Sequence, residues 1–251
     1  MKKIGVIGGS GLEKLNMFDN PEEFEIPTPF GNPSSSFFKG VFNDKEIYIL
    51  SRHGRSHTIP PTQVNNRANI HALKELGCES IFATTACGSL REEIKRGDIV
   101  IPDQFIDFTV HRINTFHDYF QPGMLGHTAM PDPFSDKLRN LLIFTATELQ
   151  VKFHPKGTIV TIEGPRFSTR AESNMFRILG ADVINMSIAP EAALANEAGI
   201  PYAVIALSTD YDSWKHDEEP VTWEDVLRVF EENVKHVTNL LVRTLTKVSQ
   251  L

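Results

Sequence analysis

The sequence predicts an α/β fold built on a mostly parallel or mixed β-sheet. Eight short segments read as strands, and most are apolar throughout, as expected for strands covered on both faces. Amphipathic segments with helix-capping signals fall between the later strands, and this alternation is typical of α/β proteins. The 251 residues, of which 41% are hydrophobic and 23% charged, suffice for one large domain or two small ones.

The predicted strands begin close to the N-terminus and end near residue 208. They are Ile4–Ile7, Ser36–Phe42, Glu46–Ser51, Ser80–Thr85, Asp98–Ile101, Thr158–Ile162, Asp182–Asn185 and Tyr202–Ser208. Asn43 and Asp44 separate the second strand from the third. Because this dipeptide favours a tight turn, the two strands are predicted to form a hairpin.

Five helices are predicted from apolar periodicity and from their start and stop residues. They are Val64–Leu76 before Gly77, Asp136–Leu149 after the N-cap Ser135, a helix that a capping box opens at Thr169 and Gly180 ends, Pro190–Ala198, and a long last helix opening at Thr222. The segment 103–134 is rich in His, Phe, Pro and Gly. It is predicted to be a long loop, and such loops are often functional.

Composition excludes several classes of partner. The formal net charge is -7 and no block of basic residues occurs, which disfavours nucleic acid and anionic membranes. Two cysteines, Cys78 and Cys87, are too few for a disulfide framework and suit a reducing compartment. No stretch is long and apolar enough to cross a bilayer. We therefore expect a cytoplasmic protein.

Two segments at strand ends have the chemistry of an anion site. The first predicted strand ends in Gly8-Gly9-Ser10-Gly11, which is neither a dinucleotide fingerprint nor a P-loop. It is either a plain tight turn or a phosphate cradle with the Ser10 hydroxyl. The stretch "SRHGRSH", residues 51–57, gathers Arg52, His53, Arg55 and His57. Gly54 and the following prolines argue against a helical metal site there, and arginine suits phosphate oxygens.

Later strand ends supply groups for a sugar and a base. The segment "TTACGSL" offers hydroxyl groups, the Cys87 thiol as a residue that lines a pocket, and space for a ligand at Gly88. The segment "VINMS" offers Asn185, Met186 and Ser187. "STDYDSW" carries Asp210 and Asp212, whose side chains point the same way if the chain is extended. Two acids fit a glycosidase pair, a metal site or recognition of N–H donors on a base. Phe167 is either core or a stacking platform, and Glu163 and Arg166 are candidates for an ion pair.

Together these strand ends suit one pocket for a phosphate, a sugar and a heteroaromatic base. The sequence resembles the 5′-methylthioadenosine phosphorylases of the trimeric purine nucleoside phosphorylase group. The segments that carry this resemblance are "TTACGSLREEIKRGDIVIPDQFID", "GTIVTIEGPRFSTRAESNMFR", "STDYDSWK", "GGSGL" and "RHGRSH". The resemblance runs from residue 4 to about residue 230. It implies a single domain over residues 1–251 with a phosphorylase/hydrolase-like α/β fold, a central mixed β-sheet flanked by helices.

The resemblance also implies the reaction. A pentosyltransferase of this family converts 5′-methylthioadenosine and phosphate to adenine and 5-methylthioribose 1-phosphate, in purine and methionine salvage. The resemblance implies no metal and no organic cofactor, and inorganic phosphate is a co-substrate. The family forms trimers, sometimes paired into hexamers, so a homotrimer or a hexamer is expected.

Site residues follow from the same resemblance. Phosphate is expected at Ser10, Arg52, His53, Thr85, Ala86 and Ser187. The nucleoside is expected at Cys87, Gly88, Phe167, Asn185, Met186, Asp210 and Asp212, with Trp223 and Val226 around the 5′-group and His127 from a neighbouring subunit. Asp210 is expected to be the general acid at N7 of the purine and Asp212 to act with it.

Three alternatives remain open from the sequence. One is a phosphorylase that prefers adenosine, methylthioinosine or 6-oxopurine nucleosides. Another is a nucleosidase that uses water, which the cluster around Arg52 argues against. The third is a purine nucleoside sensor without activity.

Overall fold

A computed structural model describes residues 1–8, 18, 21–124, 126–217 and 222–248. Eleven strands occur in these ranges and belong to one mixed sheet. They are β1 (Lys2–Gly8), β2 (Glu22–Phe24), β3 (Phe37–Phe42), β4 (Lys45–Ser51), β5 (Ser80–Ser89), β6 (Ile99–Val100), β7 (Gln104–Phe108), β8 (Phe153–His154), β9 (Thr158–Ile162), β10 (Val183–Asn185) and β11 (Tyr202–Tyr211).

The sheet branches at β5. Its main path runs β2-β3-β4-β1-β5-β10-β9-β7, while β11 pairs with β5 and β6, and β6 pairs with β8. On one side of β5, the parallel ladder with β1 ends at Ala83 and the antiparallel ladder with β10 begins at Gly88. Between them the stretch 84–87 has no strand partner on that side within the described ranges, which leaves an opening in the sheet.

Five helices cover the two faces of the sheet in the described part of the chain. They are α1 (Asn66–Glu75), α2 (Asp136–Glu148), α3 (Arg170–Ile178), α4 (Ile188–Glu197) and α5 (Trp223–Lys247). Alternate residues of each central strand face opposite layers. Ile81 packs in the core with α1 and α4, whereas Phe82 packs with α2 and α5. Burial on both faces explains why the strands are apolar throughout.

The predicted fold class and most predicted elements are confirmed. All eight predicted strands and five predicted helices are present, with boundaries shifted by up to four residues. Asn43 and Asp44 have φ angles of 47° and 58° and join β3 to β4 in an antiparallel hairpin. At α3, Thr169 and Glu172 form the reciprocal capping box that the sequence predicts.

Three strands were not predicted: β2, β7 and β8. Residues 103–134 are therefore not loop throughout, because β7 adds to the sheet edge by parallel pairing with β9. Within the described ranges, no helix has the length and apolar character that a bilayer crossing requires.

Candidate active site

One cavity lies at the opening where β5 changes neighbours. It is lined by loops and strand ends from distant parts of the sequence, an arrangement common for ligand sites in α/β sheets. Thirteen of the predicted site residues line it: Arg52, His53, Thr85, Ala86, Cys87, Gly88, Phe167, Asn185, Met186, Ser187, Asp210, Asp212 and Val226. The expected cationic and acidic groups thus share one cavity, as a single nucleoside and phosphate would require.

A buried ion pair holds the arginine at one end of the cavity. Arg52 is 1% exposed, and its Nε and Nη2 donate to the two carboxylate oxygens of Glu191, which is 0% exposed. Nη1 donates to the Thr84 carbonyl at 2.9 Å, and the Tyr202 hydroxyl donates to Glu191 at 2.7 Å. Burial would lower the pKa of Arg52, but the Glu191 carboxylate keeps it above its ordinary value.

The loop after β4 places two histidines beside this arginine. The His53 Nδ1 lies 2.9 Å from the Ile59 carbonyl, and the Ile59 amide donates to the His53 carbonyl at 3.0 Å. The His53 and His57 rings lie 4.7 Å apart between centroids. Burial lowers the pKa of His53 to about 4, with the Arg52 charge adding to the effect, and burial also lowers the pKa of His57.

Arg55 does not join this group. It lies outside the cavity, where it is partly exposed, pairs with Glu23 and donates to Ser36. The loop is a series of turns, as Gly54 predicts.

A chain of hydrogen bonds orients the polar floor of the cavity. The Ala189 amide in α4 donates to the Thr161 hydroxyl at 3.0 Å, which donates to the Asn185 Oδ1 at 2.7 Å. The Asn185 Nδ2 then donates to the Thr85 hydroxyl at 3.4 Å. Ser187 is the N-cap of α4, and its hydroxyl makes no capping bond. Because Ser187 lines the cavity, the N-terminus of α4 and this hydroxyl lie at the cavity wall, where they favour an anion.

The two acids lie at the other end. The pairing of β11 with β5 shifts between Ser208 and Asp210, so that Asp210 pairs with Gly88. A Cβ on Gly88 would lie 2.9 Å from the Asp210 Oδ2, and the absent side chain therefore makes room for this carboxylate. The Thr209 hydroxyl donates to the Asp210 Oδ1 at 2.7 Å.

Asp212 is 3% exposed, and burial raises the pKa of its carboxyl. Ser173, the Ser213 backbone and Ser168 act in the opposite direction, because each donates a hydrogen bond that favours the charged carboxylate. Asp210 and Asp212 both line the cavity, and because carboxylate oxygens accept hydrogen bonds, this end of the cavity is suited to a ligand that carries N–H groups.

Apolar groups form the walls between the two ends. Met186, Phe167 and Val226 line the cavity. Burial, with the nearby Asp210 as a smaller cause, raises the pKa of the Cys87 thiol well above its ordinary value. The thiol is therefore unsuited to be a nucleophile, as expected for a wall residue.

Three predicted residues are not placed in the cavity. Ser10 and the side chain of Trp223 lie outside the described residues. His127 does not line the cavity of its own chain, and its ring packs against Phe120 at 5.7 Å between centroids. Its expected role in a neighbouring subunit stays a prediction.

The proposed Glu163–Arg166 ion pair is wrong. Arg166 pairs with Glu172, which lies in the first turn of α3. Glu163 pairs with Arg112. The Arg112 side chain is 2% exposed, and its Nη1 also donates to the Met186 carbonyl at 3.2 Å. It therefore ties the ends of β9 and β10 together beside the cavity.

Sequence reasoning missed the residues that act through others. Glu191, Tyr202, Thr161 and Arg112 orient predicted site residues, and none of them was given a role from the sequence alone. His57, from the predicted anion-site segment, also lines the cavity. So do six residues that were not assigned to a site: Pro61, Ile162, Ile184, Thr209, Leu227 and Phe230. The sequence carried one signal for Glu191: it is a charged residue inside a largely apolar predicted helix, and a charged side chain that is buried needs a partner.

Comparisons with known proteins find relatives over nearly the whole chain. A model of the family described as the phosphorylase superfamily matches residues 3–246. The S-methyl-5′-thioadenosine phosphorylase of Danio rerio is 50% identical over an alignment of 252 positions, which covers 99% of this chain and 90% of the relative. That of Hyperthermus butylicus is 49% identical over 246 residues, which are 98% and 88% of the two chains.

Solved structures are similar over the whole chain. A methylthioadenosine phosphorylase from Schistosoma mansoni in complex with adenine has a TM-score of 0.94 and 40% identity, covering 100% of this chain and 93% of the other. A mutant of the adenosine/methylthioadenosine phosphorylase from the same organism, in complex with methylthioadenosine, has a TM-score of 0.93 and 40% identity with the same coverage.

Proposed function

The chain belongs to the phosphorylase superfamily, and we propose that it cleaves 5′-methylthioadenosine by phosphorolysis. The products are adenine and 5-methylthioribose 1-phosphate, which enter purine and methionine salvage. The observation that carries this proposal is one cavity that is lined both by residues expected to hold phosphate, among them Arg52, His53 and Ser187, and by two buried acids. The relatives at about 50% identity and the methylthioadenosine complex support the choice of substrate.

Phosphate binds at the end of the cavity formed by the loop after β4, the stretch 84–87 and the start of α4. Arg52 and His53, the Thr85 hydroxyl, the Ala86 backbone and Ser187 surround it, with Ser10 as a further donor. Amides and hydroxyls at a helix N-terminus favour an anion without any excess of basic residues.

The nucleoside extends from the phosphate to the acids. Met186 lies under the ribose, while Phe167, Asn185, Cys87 and Gly88 contact the sugar and the base. Val226 and Trp223, both in α5, bound the 5′-group.

Bond cleavage proceeds through a state in which the ribose ring has oxocarbenium character. The C1′–N9 bond stretches, and the phosphate below the ring stabilises the positive charge before one of its oxygens attacks C1′. The departing purine gains negative charge, and Asp210, which enters the reaction protonated or sharing a proton, donates that proton to N7 and is left as a carboxylate. General acid catalysis of this kind contributes about 10²–10⁴-fold. Asp212 accepts a hydrogen bond from the 6-amino group of adenine.

Substitution of the general acid tests this assignment. Asp210→Asn is expected to lower kcat for methylthioadenosine by about 10²–10⁴-fold, measured by release of free adenine. The matched control is Asp132→Asn, at an exposed position outside the cavity, which is expected to retain full activity. Near-normal turnover by Asp210→Asn would remove Asp210 from this role.

Base preference tests the acid pair. An ionised Asp212 carboxylate favours a 6-amino group, because a 6-oxo group would set two acceptors against each other in a buried site. Methylthioadenosine is therefore expected to be the better substrate than methylthioinosine. Equal or faster turnover of methylthioinosine, or a preference for adenosine, would favour the alternative specificities.

Omission of phosphate separates a phosphorylase from a hydrolase. Adenine release is expected to require added phosphate, and release without it would identify a nucleosidase. Binding of nucleoside without any turnover, with or without phosphate, would identify a sensor.

We also propose a cytoplasmic homotrimer, or a hexamer of paired trimers, in which His127 reaches a neighbouring site. Sedimentation of the active species tests the assembly, and a fully active monomer would contradict it. The reaction is proposed to need no metal or organic cofactor, and full activity after dialysis against EDTA is the expected result.

A further inference from the structure

The His53 ring is held by a bond that decides which nitrogen carries its proton. Its Nδ1 lies 2.9 Å from the Ile59 carbonyl oxygen. A carbonyl can only accept, so Nδ1 carries the hydrogen and donates it. The Ile59 amide donates back to the His53 carbonyl at 3.0 Å, and the His57 amide donates to Gly54 at 3.1 Å. These backbone bonds fix the loop and with it the tautomer.

The other ring nitrogen, Nε2, is then an acceptor. A neutral imidazole has one donor and one acceptor, and only protonation would turn Nε2 into a donor. Burial among the cavity walls lowers the pKa of His53 to about 4. At neutral pH, before an anion binds, the ring therefore offers a lone pair, where a phosphate site is usually expected to offer an N–H.

The charge at this end of the cavity is already balanced. Arg52 donates to both carboxylate oxygens of Glu191, and both side chains are buried. With His53 neutral, these three groups add up to no net formal charge. An anion here is recognised by the pattern of donors and acceptors, because an unmatched buried polar atom is penalised.

We propose that His53 Nε2 accepts a hydrogen bond from the P–OH group of phosphate, so that the site selects a protonated phosphate over tetrahedral anions without a proton. This inference rests on the proposed phosphorolysis. Inorganic phosphate carries at least one P–OH at neutral pH, whereas sulfate carries none. Sulfate would place an oxygen lone pair against Nε2, and two opposed buried acceptors weaken binding by about 10- to 100-fold.

Two anions separate charge from protonation. Sulfate and monofluorophosphate are tetrahedral dianions of nearly the same size as the phosphate dianion, and neither has a proton to donate. Each is assayed as a competitive inhibitor against phosphate, with adenine release as the readout. Both are expected to bind at least about tenfold more weakly than phosphate binds.

The variant His53→Gln tests the role of the ring. A glutamine amide can turn either its oxygen or its N–H towards the anion, so the preference for phosphate over monofluorophosphate is expected to shrink to less than about threefold. His236→Gln is the matched control, because His236 is exposed on α5 and does not line the cavity. It is expected to keep the full preference.

The outcomes of the proposed function and of this inference can be told apart. Adenine release without phosphate would overturn the proposed function before any anion is compared. Phosphate-dependent release with tight binding of monofluorophosphate by the native protein would leave phosphorolysis standing and overturn the role of Nε2. An unchanged preference in a folded His53→Gln variant would also overturn it. Should that variant fail to fold, the anion comparison in the native protein decides alone.

Discussion

The Arg52–Glu191 pair allows a quantitative prediction about stability. Both side chains are fully buried, and two hydrogen bonds join them. Removal of one partner leaves a buried charge uncompensated, which costs about 3–5 kcal/mol. Arg52→Met and Glu191→Leu are therefore each expected to lower the free energy of unfolding by at least about 3 kcal/mol.

The double variant is expected to be much more stable than the sum of the two losses predicts. Its second substitution removes the charge that the first one left unpaired, so the coupling free energy is expected to be about 3 kcal/mol or more. Part of the loss persists, because the Thr84 carbonyl and the Tyr202 hydroxyl lose their partners, at about 1–3 kcal/mol each. The free energies of unfolding of the native protein, the two single variants and the double variant are measured by denaturant unfolding, followed by circular dichroism at one protein concentration.

An exposed pair in the same chain is the control for this cycle. Arg166 and Glu172 are joined by two hydrogen bonds of 2.7 and 2.8 Å, but their side chains are 66% and 33% exposed. Arg166→Met and Glu172→Gln are expected to couple by less than about 1 kcal/mol. Additive losses at Arg52 and Glu191, or coupling as weak as that of the exposed pair, would refute the reasoning from burial.

Three further predictions concern the cavity. Gly88→Ala places a Cβ 2.9 Å from the Asp210 Oδ2, so kcat/KM is expected to fall about 100-fold in steady-state assays; unchanged kinetics would show that the carboxylate need not lie there. Between pH 6.5 and about 4, an unfolded chain binds a proton that the native His53 does not. Native stability is therefore expected to fall by up to about 3 kcal/mol as the pH decreases through that window, and His53→Gln should flatten this slope in denaturation curves. Thr161→Val leaves the Ala189 amide and the Asn185 Oδ1 without their partner, so a loss of about 1–3 kcal/mol per group is expected, and a neutral result would mean that water replaces the hydroxyl.

Local patterns in the sequence predicted the elements that depend on neighbouring residues. The capping box at Thr169 and the turn at Asn43 and Asp44 each act within a few residues, so their outcome is readable from the chain itself. The apolar runs likewise predicted buried strands, because burial on both faces excludes alternation. Polar groups at the ends of those runs were expected to meet, since ligands bind at strand ends in α/β sheets.

Partners that are distant in the sequence were decided only by the tertiary structure. Glu191 meets Arg52 across 139 residues, and β7 exists as a strand because β9 pairs with it. The irregular pairing at Asp210 and the tautomer of His53 depend in the same way on contacts with Gly88 and Ile59. Such contacts form when the whole sheet and its helices pack together, and the energy of that packing leaves no local signal in the chain. The sequence by itself therefore determined which groups gather in the cavity, and the packed structure decided how each is oriented, paired and protonated.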